Sequence, residues 1–485
     1  MRKILIILFA LFLVKAFYLG IALGDPVVIN PGDSIQKAVD SNPEGTTFTI
    51  KAGVHRLQQV IPRNGNTFIG EPGAIMSGAK ILTSFTQEGS YWVASGQTQQ
   101  GRATGFCMRN PGGLPRYEGC WYPEDLFMDD VPLWRVTTLS EVGPGKWYFD
   151  YAANKIYFAD KPTGRKVETS VTPYAFAGGT QNVTVRGGLT IEKYAVPAQS
   201  GAIHALDYHT SALSTHWVIE RCEIRLNHGV GIRTGNQMQI LNNHIHHNGQ
   251  LGIGGSGDNI LVEGNEIAYN NYAGFSSGWE AGGSKWVRTH NLVVRGNYSH
   301  HNKGPGLWTD GNNIYTLYEN NRVIENEDTG IFHEISYDVV IRNNTVQRNG
   351  KRFDTWLYGA QILLSSSRNA QVYQNSVEVD ALAGNGIAII QQDRGTGRYG
   401  PHITIGNSVH HNVVTYRGDH GQSGAAADFT PDVMFNGNNL FDFNTYHAPH
   451  LDYSRWAWGA NKNWQGFKAV GQEPHGSADT DLAQK

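Results

Sequence analysis

The chain has 485 residues, 17% of them charged, with a formal net charge of −3. That length admits one large repeat domain or two to three ordinary ones, and the near-balanced charge excludes the electrostatic footprint of a nucleic-acid binder. Its 58 glycines, 12 tryptophans and 22 tyrosines suit turn-rich β structure with an aromatic surface, a composition associated with carbohydrate partners.

Residues 1–24, "MRKILIILFALFLVKAFYLGIALG", place Arg2 and Lys3 before an apolar run that ends in small residues at Ala22-Leu23-Gly24. This is the plan of a cleaved export signal, so a secreted, extracellular or periplasmic protein is expected. No later apolar run approaches the roughly 20 residues of a spanning helix, and no membrane attachment is expected of the mature chain. Residues 25–85 read as an N-terminal cap helix from Ser34 followed by the first strands. Residues 86–168 carry hairpin-like aromatic strands such as "KWYFDYAANKIYFADKP" and read as an inserted β module. Cys107 and Cys120 flank a loop that one disulfide could close, leaving Cys222 over.

Residues 169–420 hold a repeat. The pattern Asn-x-x-x-x-Asn recurs at Asn243/Asn248, Asn265/Asn270, Asn297/Asn302, Asn321/Asn326, Asn344/Asn349 and Asn407/Asn412, with degenerate copies at Cys222/Asn227 and Asn375/Asp380. Between the pairs lie short β-branched stretches such as "ILVEGNEI" and "VVIRNNTV", with a glycine before the next strand. Units this short cannot bury an apolar face alone and must stack. The expected fold is all-β, a parallel β-helix with an inserted β module, in which stacked asparagines satisfy the turns. Residues 421–485 read as an aromatic capping tail.

Two coils end alike, "GLWTD" at 306–310 and "GIFHE" at 330–334. Strand alternation turns Asp310 and Trp308, a platform for a sugar ring, outward on one coil, Glu334 and Phe332, whose apolar ring should help desolvate it, outward on the next, and His333 inward beside Thr309. Carboxylates in register on adjacent coils lie about 5 Å apart at the backbone, compatible with the spacing in a retaining glycosidase. Two charges that close push one pKa up, and their mutual repulsion destabilises the sheet. That cost favours a chemical role over a structural one. The alternative is a solvated acidic edge, or a structural calcium held by "DGNN" and "ENED". No other cofactor is expected, and the paired histidines at 246–247, 300–301 and 410–411 are explained by repeat position rather than metal binding. The preceding coil holds "SGWEAGGSKW". Over 275–287 a loop is expected to emerge, hinged at Gly282 and Gly283, carrying Glu280 and Lys285 over Asp310. Trp279 and Trp286 serve there either as sugar platforms or as pins for the loop.

The run "GWEAGGSKW … HHNKGPGLWTDGNN … NEDTGIFHEISYD", with a β-helix interrupted by an aromatic insertion, resembles glycoside hydrolase family 120, the β-xylosidases. The resemblance implies a right-handed, pectate-lyase-like solenoid. It also implies Asp310 as nucleophile, Glu334 as acid/base, and Glu280 as a substrate-positioning carboxylate. The expected substrate is a plant-type oligo- or polysaccharide. Competing readings are a polysaccharide lyase or uronate epimerase, with Lys285 or Arg288 as base, and a non-catalytic carbohydrate-binding or adhesion module.

Overall fold

The computed structural model describes residues 25–108, 118–207, 210–351 and 356–482; the export signal expected at 1–24 lies outside them. The protein is an all-β, right-handed parallel β-helix. Each coil gives one strand to a twelve-stranded sheet and two short strands to a twenty-four-stranded sheet, in parallel register with the coils before and after, and Ala460–Lys462 adds antiparallel at the C-terminal edge of the first. The coil built from Gln239–Leu241, His244–His246 and Leu251–Gly255 is typical. No helix among the described residues is long and apolar enough to cross a membrane.

The asparagine pairs mark the two corners that flank the second short strand. Asn243 shows the bonding: its backbone N–H and its Nδ2 both donate to Asn265 Oδ1, each at 2.9 Å, and Nδ2 also donates to Ile219 O. The first ladder runs Asn243, Asn265, Asn297, Asn321, Asn344, Asn375, Asn412, Asn444. The second runs Asn227, Asn248, Asn270, Asn302, Asn326, Asn349. All are buried, so each amide supplies partners that water cannot reach and the sheets do not offer.

The second ladder also explains the glycine of each repeat. A Cβ on Gly306 would stand 2.7 Å from Asn326 Nδ2, and one on Gly330 2.8 Å from Asn349 Nδ2. The amide column occupies that space, so the strand that follows must begin with no side chain.

Two ladder slots differ from the sequence pattern. Asn412, not Asn407, follows Asn375, 37 residues on, while Asn407 belongs to a separate pairing with Asn439. Gln361 rather than Asp380 succeeds Asn349, its Oε1 accepting from both nitrogens of that residue.

Inside, rows of Ile, Leu and Val fill the stack from Ile29 to Phe467. Helix Ile35–Ser41, capped by Ser34 Oγ on Lys37 N, lays Ile35 and Val39 on the open N-terminal coil. The inserted module starts earlier than the aromatic pattern suggests: Ala79–Leu82 pairs antiparallel with Val167–Ser170, and Tyr91–Ser95 joins Lys146–Asp150 and Lys155–Phe158 in a second antiparallel sheet. The tail is not only a cap. Ser423–Ala427 and Trp456–Trp458 extend the twelve-stranded sheet, and helix Trp464–Ala469 then covers the C-terminal end with Trp464 and Phe467. Cys107 and Cys120 are disulfide-bonded, and Cys222 is free and buried.

The first ladder ends on a carboxylate. Asn444 donates from N and Nδ2 to Glu473, and Tyr446 OH donates to the same group. Burial pushes the Glu473 pKa up to about 7 against these bonds. A carboxyl whose folded pKa lies above its unfolded one loses stabilisation as pH rises through the interval between them, here from about 4.5 to 7.

Two expectations follow. Asn321→Ala removes a ladder rung, leaves Asn297 N buried without its partner and takes one donor from Val294 O; a loss of about 2–4 kcal/mol should appear in urea titrations, against at most about 0.5 kcal/mol for Lys161→Ala on the surface. Glu473→Gln keeps the shape and removes the charge, so thermal stability of the variant should exceed that of the wild type at pH 8 by on the order of 2–3 kcal/mol and the two should converge near pH 4.5.

Candidate functional site

Strands Leu307–Asp310 and Ile331–Glu334 are neighbours in the twelve-stranded sheet, with Trp308 opposite Phe332 and Asp310 opposite Glu334. Leu307, Thr309, Ile331 and His333 point into the stack. His333 is satisfied there by Thr309 Oγ1 at 2.8 Å and Tyr337 O at 3.2 Å, and burial lowers its pKa to about 3, so it is a neutral core residue. The two acids therefore stand side by side on the outer face, held by backbone register.

Their surroundings differ. The Asp310 side chain is 22% exposed and pairs with Lys285 Nζ through Oδ2 at 2.8 Å. The Glu334 side chain is 8% exposed and meets Arg394 Nη2 through Oε1 at 3.0 Å. Burial, followed by the Asp310 charge, pushes the Glu334 pKa up to about 7, while Arg394 and Lys285 pull the other way. Desolvation of the charged form is the larger effect. One acid is thus presented beside a cation, and the other is held as a proton donor near neutral pH.

Lys285 sits where the loop was expected to bring it, but by a different route. Gly282–Val287 is itself a strand of the twelve-stranded sheet, paired with Leu251–Gly255 and Leu307–Asp310. The lysine rises from the floor of the site, its Nζ 3.7 Å from the Trp308 ring centroid and bonded to Trp279 O at 2.5 Å. Deleting 275–287 would remove a coil strand rather than a surface loop; only Ser277–Glu280 forms a short excursion.

The aromatic platforms are not open. Trp286 is fully buried in the central core, because strand alternation sends it inward opposite Thr309. Trp279 packs on Phe106 and Phe275 and pins the excursion to the inserted module. Trp308 and Phe332 do face outward and stack at 5.4 Å. They are covered, however, with Leu357, Leu363 and Ala388 in a second apolar cluster and Tyr358 edge-on to Phe332. They form the wall that desolvates the acids instead of a surface for a sugar ring. The Glu280 carboxylate is buried and accepts from Gln199 Nε2.

The calcium reading does not fit. Asn312 Oδ1 accepts from Arg398 N, Asn313 Oδ1 accepts from Thr289, Asn326 is a ladder rung, and Glu325 pairs with Arg348 and His301. These oxygens are committed to partners within the protein.

Arg394 was missed by sequence reasoning. It lies on a segment that leaves strand Asn385–Gln391 and folds back over two coils, held by Tyr337 OH on Gly400 O and by Asn312 Oδ1 on Arg398 N, each at 2.7 Å. Gln392 Oε1 accepts from both Tyr358 OH and Arg394 Nη2, tying this segment to the aromatic wall. The signal was the 37-residue separation from Asn375 to Asn412, concealed when Asn407 is taken as the intervening rung.

Residues 209–377 match the family described as right handed beta helix region. No protein of curated function matches the chain. Among solved structures, the complex of XylC with xylose aligns over 93% of this chain and 83% of its own at 15% identity, TM-score 0.67. The A-module of mannuronan C-5 epimerase AlgE6 from Azotobacter vinelandii aligns over 93% and 94% at 12% identity, TM-score 0.49. The family 28 exopolygalacturonase of Yersinia enterocolitica aligns over 95% and 79% at 11% identity, TM-score 0.33. At 15% identity the likeness to XylC is one of fold.

The electrostatics of the pair can be measured directly. Asp310→Asn removes the charge that raises Glu334 and should move its titration down, whereas Arg394→Met removes a charge that lowers it and should move the titration up. Infrared carboxyl difference spectra across pH 4–9 resolve the two directions.

Proposed function

We propose that this protein is an exported retaining glycoside hydrolase, with Asp310 as nucleophile and Glu334 as general acid/base, acting on plant-type oligo- or polysaccharides. β-Xylosides are the first substrates to test. The observation that carries the reading is the pair of in-register acids in opposite environments, one beside a lysine and partly open, the other desolvated with its pKa near 7. A retaining glycosidase needs this division.

The geometry also accounts for the change of role between the two steps. While Asp310 is charged, it helps keep the proton on Glu334, which can then be given to the leaving oxygen as Asp310 attacks the anomeric carbon. Once Asp310 is esterified its charge is gone and the cations Arg394 and Lys285 remain, so the Glu334 pKa falls. Glu334 is then deprotonated, the form needed to take a proton from the attacking water. Lys285, bound to Asp310 and seated on Trp308, orients the nucleophile, whereas a lyase base would have to be open to the substrate. The resemblance to family 120 and the xylose-bound structure of similar fold support a neutral sugar, and residues 1–24 support export.

On an aryl β-glycoside, Asp310→Ala should lose at least about a thousandfold in kcat, with added azide giving an α-azide product. Glu334→Ala should keep activity on substrates with very good leaving groups and give a β-azide. Exchange of the two stereochemical outcomes reverses the assignment. An inverted product from the wild type, or unsaturated uronate released from pectin or alginate, overturns the proposal.

A further inference from the structure

A second constellation lies on the other sheet. Strands Glu223–Arg225 and His244–His246 are parallel neighbours with Glu223 opposite His244 and Arg225 opposite His246. Alternation puts His244 and His246 on one outer face, where their rings stack at 3.9 Å. The Glu223 carboxylate comes from the preceding coil to the same point, so that one ligand atom from each of Glu223, His244 and His246 lies within 4.8 Å of the other two. We infer that Glu223, His244 and His246 form a binding site for a divalent transition metal ion of the zinc type, clipping two adjacent coils together.

The spacing is that of ligands around one ion. His246 Nε2 and Glu223 Oε1 are 3.1 Å apart, and a tetrahedral ion with ligand bonds of about 2.0–2.1 Å requires ligand atoms about 3.3 Å from each other. Two imidazoles and a carboxylate suit zinc, copper or nickel rather than calcium or magnesium. The ligands are also oriented from behind. His246 Nδ1 is engaged with His247 Nδ1 at 2.7 Å, which directs Nε2 to the site, and Thr190 Oγ1 donates to Glu223 Oε2 at 3.0 Å. Such outer partners set the ring nitrogen that binds.

Glu266 Oε2, on the next coil, is 3.7 Å from His244 Nε2, and its other oxygen pairs with His300 Nε2 at 3.0 Å. Arg225 Nη1 also bonds Glu223 Oε1 at 3.1 Å and must give way as the ion enters. The paired histidines are thus not all equivalent. His300 and His301 pair separately with Glu266 and Glu325, and His410 lies opposite Tyr373, on a strand that leads to a first-ladder rung, Asn412, instead of a second-ladder rung such as Asn248.

The test uses tag-free full-length protein, stripped with chelator and titrated with ZnCl2 by calorimetry, with the cobalt(II) absorption spectrum as a second readout. The expected result is one ion per chain and a thermal midpoint that rises with zinc concentration. His244→Ala/His246→Ala should weaken zinc binding at least a hundredfold and Glu223→Gln at least tenfold, with His410→Ala/His411→Ala unchanged. Failure of the wild type to take up zinc, or uptake by the His244/His246 variant with unaltered affinity and cobalt spectrum, overturns the site.

Discussion

Every feature of this protein depends on the corners of its coils being satisfied without water. A parallel stack pairs strand backbones with strand backbones, but at each corner the chain turns away and leaves polar groups inside. The asparagine ladders fill that need one coil at a time. Each amide accepts from the N–H and Nδ2 of the rung before it and donates to the rung after it and to a strand carbonyl. Because a rung fits only against its counterpart, the ladders fix the relative phase of all coils. The residue before a rung takes a left-handed turn, as at Asn242, His247, Asn320 and Asn343.

That fixed phase is what sets Asp310 beside Glu334. Rungs can be 21 or 37 residues apart while the strands between them keep register, so extra chain is expelled from the coil and cannot displace the acids. The molecule uses this freedom around the site. The segments 356–358 and 392–402 both fold back over the outer face and supply the apolar cover and the arginine that distinguish Glu334 from Asp310. The uniform stack brings two identical charges together, and the irregular segments make them unlike.

The inserted module is anchored by buried polar contacts. Lys193 of the β-helix is fully buried and bonds Asp130 and Glu168 of the module, while Asp125 of the module meets His228 at 3.1 Å and Tyr272 OH at 2.6 Å. These charges are neutralised in place, which makes the junction costly to break. The disulfide-linked Cys107 and Cys120 lie in the same junction, packed with Phe275 and Ala281 beside Trp279, so the module steadies the excursion that leads to Lys285.

The sequence by itself determined the repeat, and with it the parallel stack, the asparagine corners, the N-terminal cap and the in-register acids. Each of these follows from local spacing: a two-residue alternation sends Asp310 and Glu334 out and His333 in, and a recurrent amide can be satisfied only by its own kind on the next coil. The tertiary structure decided what covers the acids. Trp286 is a core residue because its strand belongs to the sheet and not to a loop, Trp308 and Phe332 are a wall because distant chain lies over them, and Arg394 reaches Glu334 across 60 residues of sequence. Repeat position is encoded residue by residue, whereas the path of a segment that leaves the stack depends on contacts with coils far from it in the chain, and no local pattern records those.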